Sequence, residues 1–339
     1  MKKILISICL ALMIINNATL HAKNNIMGAG ATFPYPLYAK MFNEYYKETE
    51  TKINYQAIGS GGGQRQLKAK TVDFGATDAF VYDKDLPDFK ENILHIPITA
   101  GGVALTYNLP GVTQLNLSAD IIAEMFLGKI KRWNDPKIQA LNPDVKLPKL
   151  NVLTVQRSDS SGTTFIFTDY LNKASKIWEK DGSVGKSIKW PSGLAGKGNA
   201  GVAGLLKQIK GSIGYTGSVY ALQNKMTIAS VQNKNNKFIK PSIESISEAA
   251  NIELPNDTRI NISNTDAANG YPISGLTWII VYQNQNYNGR SSTDSTKLKE
   301  LFNWMVTKGQ QFSTDLNYAP LSENAQKLAI QIIDQINFK

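Results

Sequence analysis

The chain has 339 residues, with 37 Lys and Arg against 27 Asp and Glu, two histidines, one cysteine and a formal net charge of +10. Five like charges never run together and no basic-aromatic stripe occurs, which speaks against a nucleic-acid interface; scattered lysines suit solubility and attract anionic ligands. So few histidines and cysteines leave no material for the usual zinc site, a Ser-His-Asp triad or a Cys-His pair.

Taken in chain order, the first element is a secretory leader. Lys2 and Lys3 precede an apolar run from Ile4 to about Ile15, and small and polar residues lead to Ala22. That pattern is too short and wrongly flanked for a membrane anchor, so cleavage after Ala22 is expected, with 1–22 as signal peptide. Cys9 sits inside the apolar run behind Ile8, which does not suit a lipoprotein cysteine, and His21 leaves with the leader. A soluble, exported, cysteine-free chain of about 317 residues is expected, long enough for two lobes.

Strand-like and helical runs then alternate, the mark of an α/β protein with parallel or mixed sheets. Leu37, Tyr38, Phe42, Tyr45 and Tyr46 recur at helical spacing; KINYQAI (52–58) and VDFGAT (72–77) read as strands. ILHIPI and GVALTY read as two strands separated at Thr99, Ala100, Gly101 and Gly102, where the chain is expected to change lobes; His95 in the first is expected to be structural. SADIIAEMFLGK predicts a helix capped by Ser118 and closed near Gly128. LNVLTV predicts a strand, TFIFTDYL a helix, AGVAGLLKQI a helix, SIGYT and MTIASVQ strands, and TWIIVY a buried strand. Two helical apolar faces close the chain, one through Leu298, Leu301, Phe302, Met305 and Val306, the other from Ala325 to Ile336.

Three loops share one design: GAGATFP (28–34) before a helix, and GSGGGQRQL (59–67) and RSDSSGTTF (157–165) between a strand and a helix. A helix start exposes unpaired N–H groups and partial positive charge, glycine lets an anion approach the backbone, and hydroxyls add donors. Any one loop could simply cap its helix; three together, one carrying Arg157, point to an oxyanion site. The full dinucleotide fingerprint and GxxxxGK[ST] are both missing, which disfavours nucleotides. Asp78 in GATDAFV could be a turn cap, or an acceptor that admits an oxyanion only if the anion brings a proton. Phosphate near neutral pH carries one and sulfate carries none. Two facing negative charges about 4 Å apart cost on the order of 4 kcal/mol at an effective dielectric near 20, roughly three decades of affinity.

These loops, in this order, resemble the periplasmic phosphate-binding proteins of the high-affinity phosphate ABC transporter. The matching stretches include GAGATFPYPLYAKMF (28–42), NYQAIGSGGGQRQ (54–66), TVDFGATDA (71–79), GKIKRWNDP (128–136), SSGTTFIFTDYL (160–171), KWPSGLAGKGNAGVAG (189–204), GSIGY (211–215), YPIS (271–274) and LNYAPL (316–321). The resemblance implies a type II periplasmic-binding-protein fold, two α/β lobes each with a central mixed sheet flanked by helices and a ligand in the interlobe cleft. Lobe I is expected to comprise 23–99 and 271–339, and lobe II 100–270. By the same resemblance Thr32, Phe33 and Ser60 donate to phosphate, Asp78 accepts its proton, and Arg157, Ser161, Gly162 and Thr163 donate from the other lobe. Asp159 is implied to hold the arginine in place. Gly61 stands where a second serine is common, and Ser160 where glycine is common.

The expected role is periplasmic: a non-enzymatic monomer that binds inorganic phosphate and passes it to the permease subunits of the importer, without metal, cofactor or nucleic acid. The alternatives are a secreted phosphatase and the same fold tuned to sulfate or molybdate.

Overall fold

The computed structural model describes residues 25–339. The expected leader, with Cys9 and His21, lies outside the described residues.

The chain opens with β1 (Asn25–Gly30), α1 (Tyr35–Thr49), β2 (Lys52–Ala57), α2 (Ser60–Lys68) and β3 (Phe74–Thr77), two parallel β-α-β steps in succession. Helix α1 starts on Pro34 with proline in its first turn, where the missing N–H costs nothing, and stops at Glu50 in the left-handed region at φ 56°. Leu37, Tyr38, Met41, Phe42 and Tyr45 bury its inner face, each contributing ~1.5–3 kcal/mol, whereas Tyr46 lies outside that stripe and is half exposed.

β4 (Ile93–Tyr107) follows as a single strand of 15 residues. The two strands expected here are one, because Thr99 to Gly102 stay extended and paired to the end of the chain's longest other strand. The glycine there answers a close approach: a Cβ on Gly101 would come within 2.6 Å of the Phe33 ring. Next come β5 (Asn116–Leu117), α3 (Ala119–Phe126), α4 (Pro136–Leu141), β6 (Leu153–Arg157), α5 (Gly162–Ala174), α6 (Lys176–Asp181), β7 (Leu194–Gly196), α7 (Gly198–Gln208), β8 (Ser212–Gly217) and α8 (Ser218–Gln223). Ser118 caps α3 as expected, its side chain accepting from Ile121 N–H, and Gly128 follows the helix at φ 71°. The expected MTIASVQ strand is split into β9 (Thr227–Ile228) and β10 (Ser230–Gln232), which join different sheets. The chain ends through β11 (Phe238–Ile239), α9 (Ile243–Ala250), the fully buried β12 (Ser274–Tyr282), α10 (Ser292–Val306) and α11 (Glu323–Asp334).

The main sheet runs β2-β1-β3-β12-β4-β8-β6-β7, with β9 beside β4. β4 is its spine. Residues Ile93–Gly102 pair antiparallel with β12, and Val103–Tyr107 pair antiparallel with β8. Each half of the sheet is therefore parallel at its outer edge and antiparallel at the seam. Helices cover both halves over separate cores, one around Phe126, Trp133, Phe167 and Tyr215, the other around Tyr38, Phe74, Phe302 and Ile333. His95 is buried and structural, as expected: its Nε2 accepts from Val81 N–H at 3.0 Å, and burial with Arg259 nearby pushes its pKa down to about 3.

Candidate functional site

The carboxyl ends of β1, β2 and β3 from one half of the sheet meet the ends of β6 and β7 from the other, and all the residues singled out in the sequence gather there. From the first half, the turn after β1 presents Thr32 and Phe33. It is held from two sides, Tyr220 OH donating to Thr32 C=O at 2.6 Å and Tyr318 OH to Phe33 C=O at 2.5 Å. The Phe33 ring is fully buried, and its backbone N–H meets no acceptor among the described residues.

Ser60 opens α2, followed by three glycines. Those glycines bring the helix start hard against its surroundings: a Cβ on Gly63 would lie 2.5 Å from Ala29 C=O. GSGGGQRQL was expected to lead into a helix, and SGGGQRQLK is the helix itself. Ser60 Oγ accepts from Gly162 N–H at 3.1 Å and from Asp78 N–H at 3.2 Å, so one hydroxyl joins the two halves.

From the second half, Arg157 ends β6 with only 1% of its side chain exposed. Its Nε donates to Asp159 Oδ1 at 2.8 Å, Nη2 to Asp159 Oδ2 at 2.5 Å and Nη1 to Thr163 Oγ1 at 3.1 Å. Asp159 thus holds the guanidinium by a bidentate grip, the strongest geometry available to that pair. Ser161 caps α5, its oxygen accepting from Thr164 N–H at 3.1 Å, and its O–H can still donate. Gly162 and Thr163 occupy the first turn, where helix N–H groups lack intrahelical partners.

Two site residues escaped sequence reasoning. Asn199, in the first turn of α7, donates Nδ2 to Thr32 Oγ1 at 2.8 Å and to Thr163 Oγ1 at 3.2 Å, bridging the halves. Its N–H also donates to Thr32 Oγ1, and its Oδ1 accepts from Gly217 N–H. The signal was the glycine-bracketed GKGNAG before a helix, a fourth copy of the loop design. Thr277 is the other: it donates Oγ1 to Asp78 Oδ1 at 3.0 Å from within the apolar strand TWIIVY, where nothing marks it.

The electrostatics are lopsided. Four helix starts and one guanidinium gather around two carboxylates, Asp159 paired to the guanidinium and Asp78 bonded by the hydroxyls of Thr277 and Ser60. Asp78 is 2% exposed, and burial drives its pKa up to about 7 against the Thr277 hydrogen bond, the Arg157 charge and Ser60. Burial also raises Asp159, but its bonds to Arg157 and to Gly198 N–H outweigh that and hold it below the usual carboxylate range. One carboxylate is spent on the arginine, and the other is poised near neutrality.

The Gly61 and Ser160 departures prove to be one feature. Gly61 N–H donates to Ser160 C=O at 2.9 Å across the cleft, and a Cβ on Gly61 would fall 2.2 Å from Ser160 Oγ. Ser160 is not among the residues with positive φ, so serine is unstrained there.

A family profile described as PBP superfamily domain matches residues 17–308. Among curated proteins, the chain is 43% identical to phosphate-binding protein PstS of Haemophilus influenzae over 88% of this chain and 89% of that one. It is 42% identical to phosphate-binding protein PstS of Pasteurella multocida, over 90% and 89%. Among solved structures, a high affinity periplasmic phosphate-binding protein bound with phosphate superposes with a TM-score of 0.74 at 21% identity, covering 89% of this chain and 92% of that one. Phosphate binding protein from Stenotrophomonas maltophilia gives 0.70 at 18% identity, covering 91% and 93%; these likenesses establish the two-lobed α/β fold. The chain belongs to the PBP superfamily and, within it, to the PstS family.

Proposed function

We propose that this protein binds inorganic phosphate in the periplasm and delivers it to the permease subunits of an ABC importer, as a monomer and without catalysis. The observation that carries the reading is Asp78, the site carboxylate that no ion pair holds, placed amid converging donors. Above its pKa of about 7 it is ionised and only accepts, so the anion must supply a proton. Monohydrogen phosphate does; sulfate does not. Arg157 and Thr163, the α5 start at Gly162, the α2 start at Ser60, and the turn at Thr32 and Phe33 supply donors to the remaining oxygens. Ser161 caps α5 through its oxygen and donates its O–H to the anion, and Asp159 acts by fixing Arg157 and tempering its charge.

Residues 23–99 with 271–339, and 100–270, serve as the two lobes, which close because the donor set is complete only when both contribute. The relatives named for phosphate binding support this reading, as does the engagement of Ser161 in a helix cap rather than with a base. Calorimetric titration with phosphate at pH 8, alongside incubation with a chromogenic phosphate ester, tests it. Saturable one-to-one binding without turnover is expected; no heat, or ester hydrolysis lost in Ser161→Ala, would overturn it.

A further inference from the structure

Lys186 stands in the loop between α6 and β7, 122 positions from its side-chain partner Gln64. Its backbone C=O accepts from Ser161 N–H at 2.8 Å, at the start of α5. Its Nζ reaches across the cleft to Gln64 Oε1 on α2. Gln64 is itself buried, and its Nε2 donates at 3.2 Å to both Thr77 Oγ1 and Ala79 C=O, the two neighbours of Asp78. One residue therefore touches the α5 start directly and the Asp78 turn through a single intermediary.

The chemistry of the contact is unusual for a surface lysine. Lys186 is largely withdrawn from water and its Nζ donates to a neutral amide oxygen; burial pulls its pKa down, Asp85 nearby works against that, and Lys68 and Arg65 add to it. A desolvated ammonium bonded only to an amide costs more to form than an exposed ion pair. The contact spans the two halves and therefore exists only where they are together, which makes it a property of the closed arrangement.

We propose that Lys186 is a positioning residue for the anion site, a latch that holds the halves together through Gln64 and fixes the separation between the α5 start and Asp78. It does not touch the anion; it sets how long the cleft stays shut. The proposal rests on the phosphate reading for its kinetic consequence, but the latch itself is a statement about closure.

Stopped-flow phosphate binding to the full mature chain at pH 8 reads the consequence. Lys186→Met is expected to raise the dissociation rate about ten-fold, the effect of one charge-assisted hydrogen bond, with the association rate changed less than about two-fold. Lys186→Arg should recover most of the loss, and the ligand-free thermal midpoint should match wild type in both. An unchanged dissociation rate in Lys186→Met, or a fall in the ligand-free midpoint that Lys186→Arg does not repair, would overturn the latch. Spin labels at Lys52→Cys and Lys207→Cys, one exposed position on each half, separate this failure from that of the phosphate reading. Wild type that binds no phosphate yet shows a short interlobe distance lengthened by Lys186→Met refutes the ligand and keeps the latch. A distance indifferent to Lys186→Met refutes the latch whatever the ligand.

Discussion

Replacing Asp78 by Asn removes a buried carboxylate that no ion pair holds while keeping an oxygen for the Thr277 hydroxyl at 3.0 Å. The carboxyl moves from an ordinary 3.8 to about 7 on folding, because burial disfavours its charged form. Folding therefore takes up a proton between those values, and the stability this brings is fully present below about 4 and lost as pH rises through about 7. At 1.36 kcal/mol per tenfold change the full difference is ~4 kcal/mol, of which ~3 kcal/mol falls between pH 5 and pH 8. The carboxamide has no such dependence. Urea unfolding of ligand-free wild type and Asp78→Asn at pH 5 and pH 8 isolates the site, since every other titrating group is common to both. The variant should gain ~3 kcal/mol relative to wild type on going from pH 5 to pH 8. A difference that stays constant within about 0.5 kcal/mol would show that Asp78 is not held in a desolvated, proton-hungry site, and the reasoning would fail.

Sulfate discrimination should weaken with acid: as pH falls from 8 to 5, Asp78 takes up a proton and can donate, so sulfate competition against labelled phosphate should appear where it was absent at pH 8. Arg157→Ala strips the guanidinium and leaves Asp159 without its partner, and phosphate affinity measured by calorimetry should fall by ~2–3 kcal/mol. Asn199→Ala, which cuts the bridge between Thr32 and Thr163, should cost ~1–2 kcal/mol of affinity; no loss would mean that the halves are aligned without it. Gly61→Ser should weaken phosphate binding about ten-fold by driving a side chain into Ser160, and adding Ser160→Gly should restore it to within about three-fold. Additive losses in the double variant would refute the steric pairing.

The donor loops were legible because their chemistry is local: glycine and hydroxyl residues before a helix carry their meaning within a few positions. Thr32, Ser60, Asp78, Arg157 and Ser161–Thr163 all lie at the meeting of the two halves. Asn199 shared the same local design and was passed over because its loop lacks hydroxyls. Thr277 and Lys186 could not be read locally at all, since each matters through a partner 199 and 122 positions away. The strand β1 went unseen for a different reason. NIMGAG has almost no β-branched residues, and it is extended because β2 and β3 pair with it on both sides. β4 was divided at its glycines, which reads a turn into Gly101 where the real demand is room for Phe33. Tyr46 fitted the helical count but lies off the buried stripe, a distinction that periodicity alone draws poorly.

The central claim is that one ionised carboxylate selects an anion by the proton it brings. Parallel calorimetric titrations of the protein with phosphate and with sulfate at pH 8 test it most directly. The account predicts one-to-one phosphate binding, sulfate weaker by roughly three decades, and sulfate affinity recovered in part by Asp78→Asn. Comparable affinities for the two anions in wild type would contradict it.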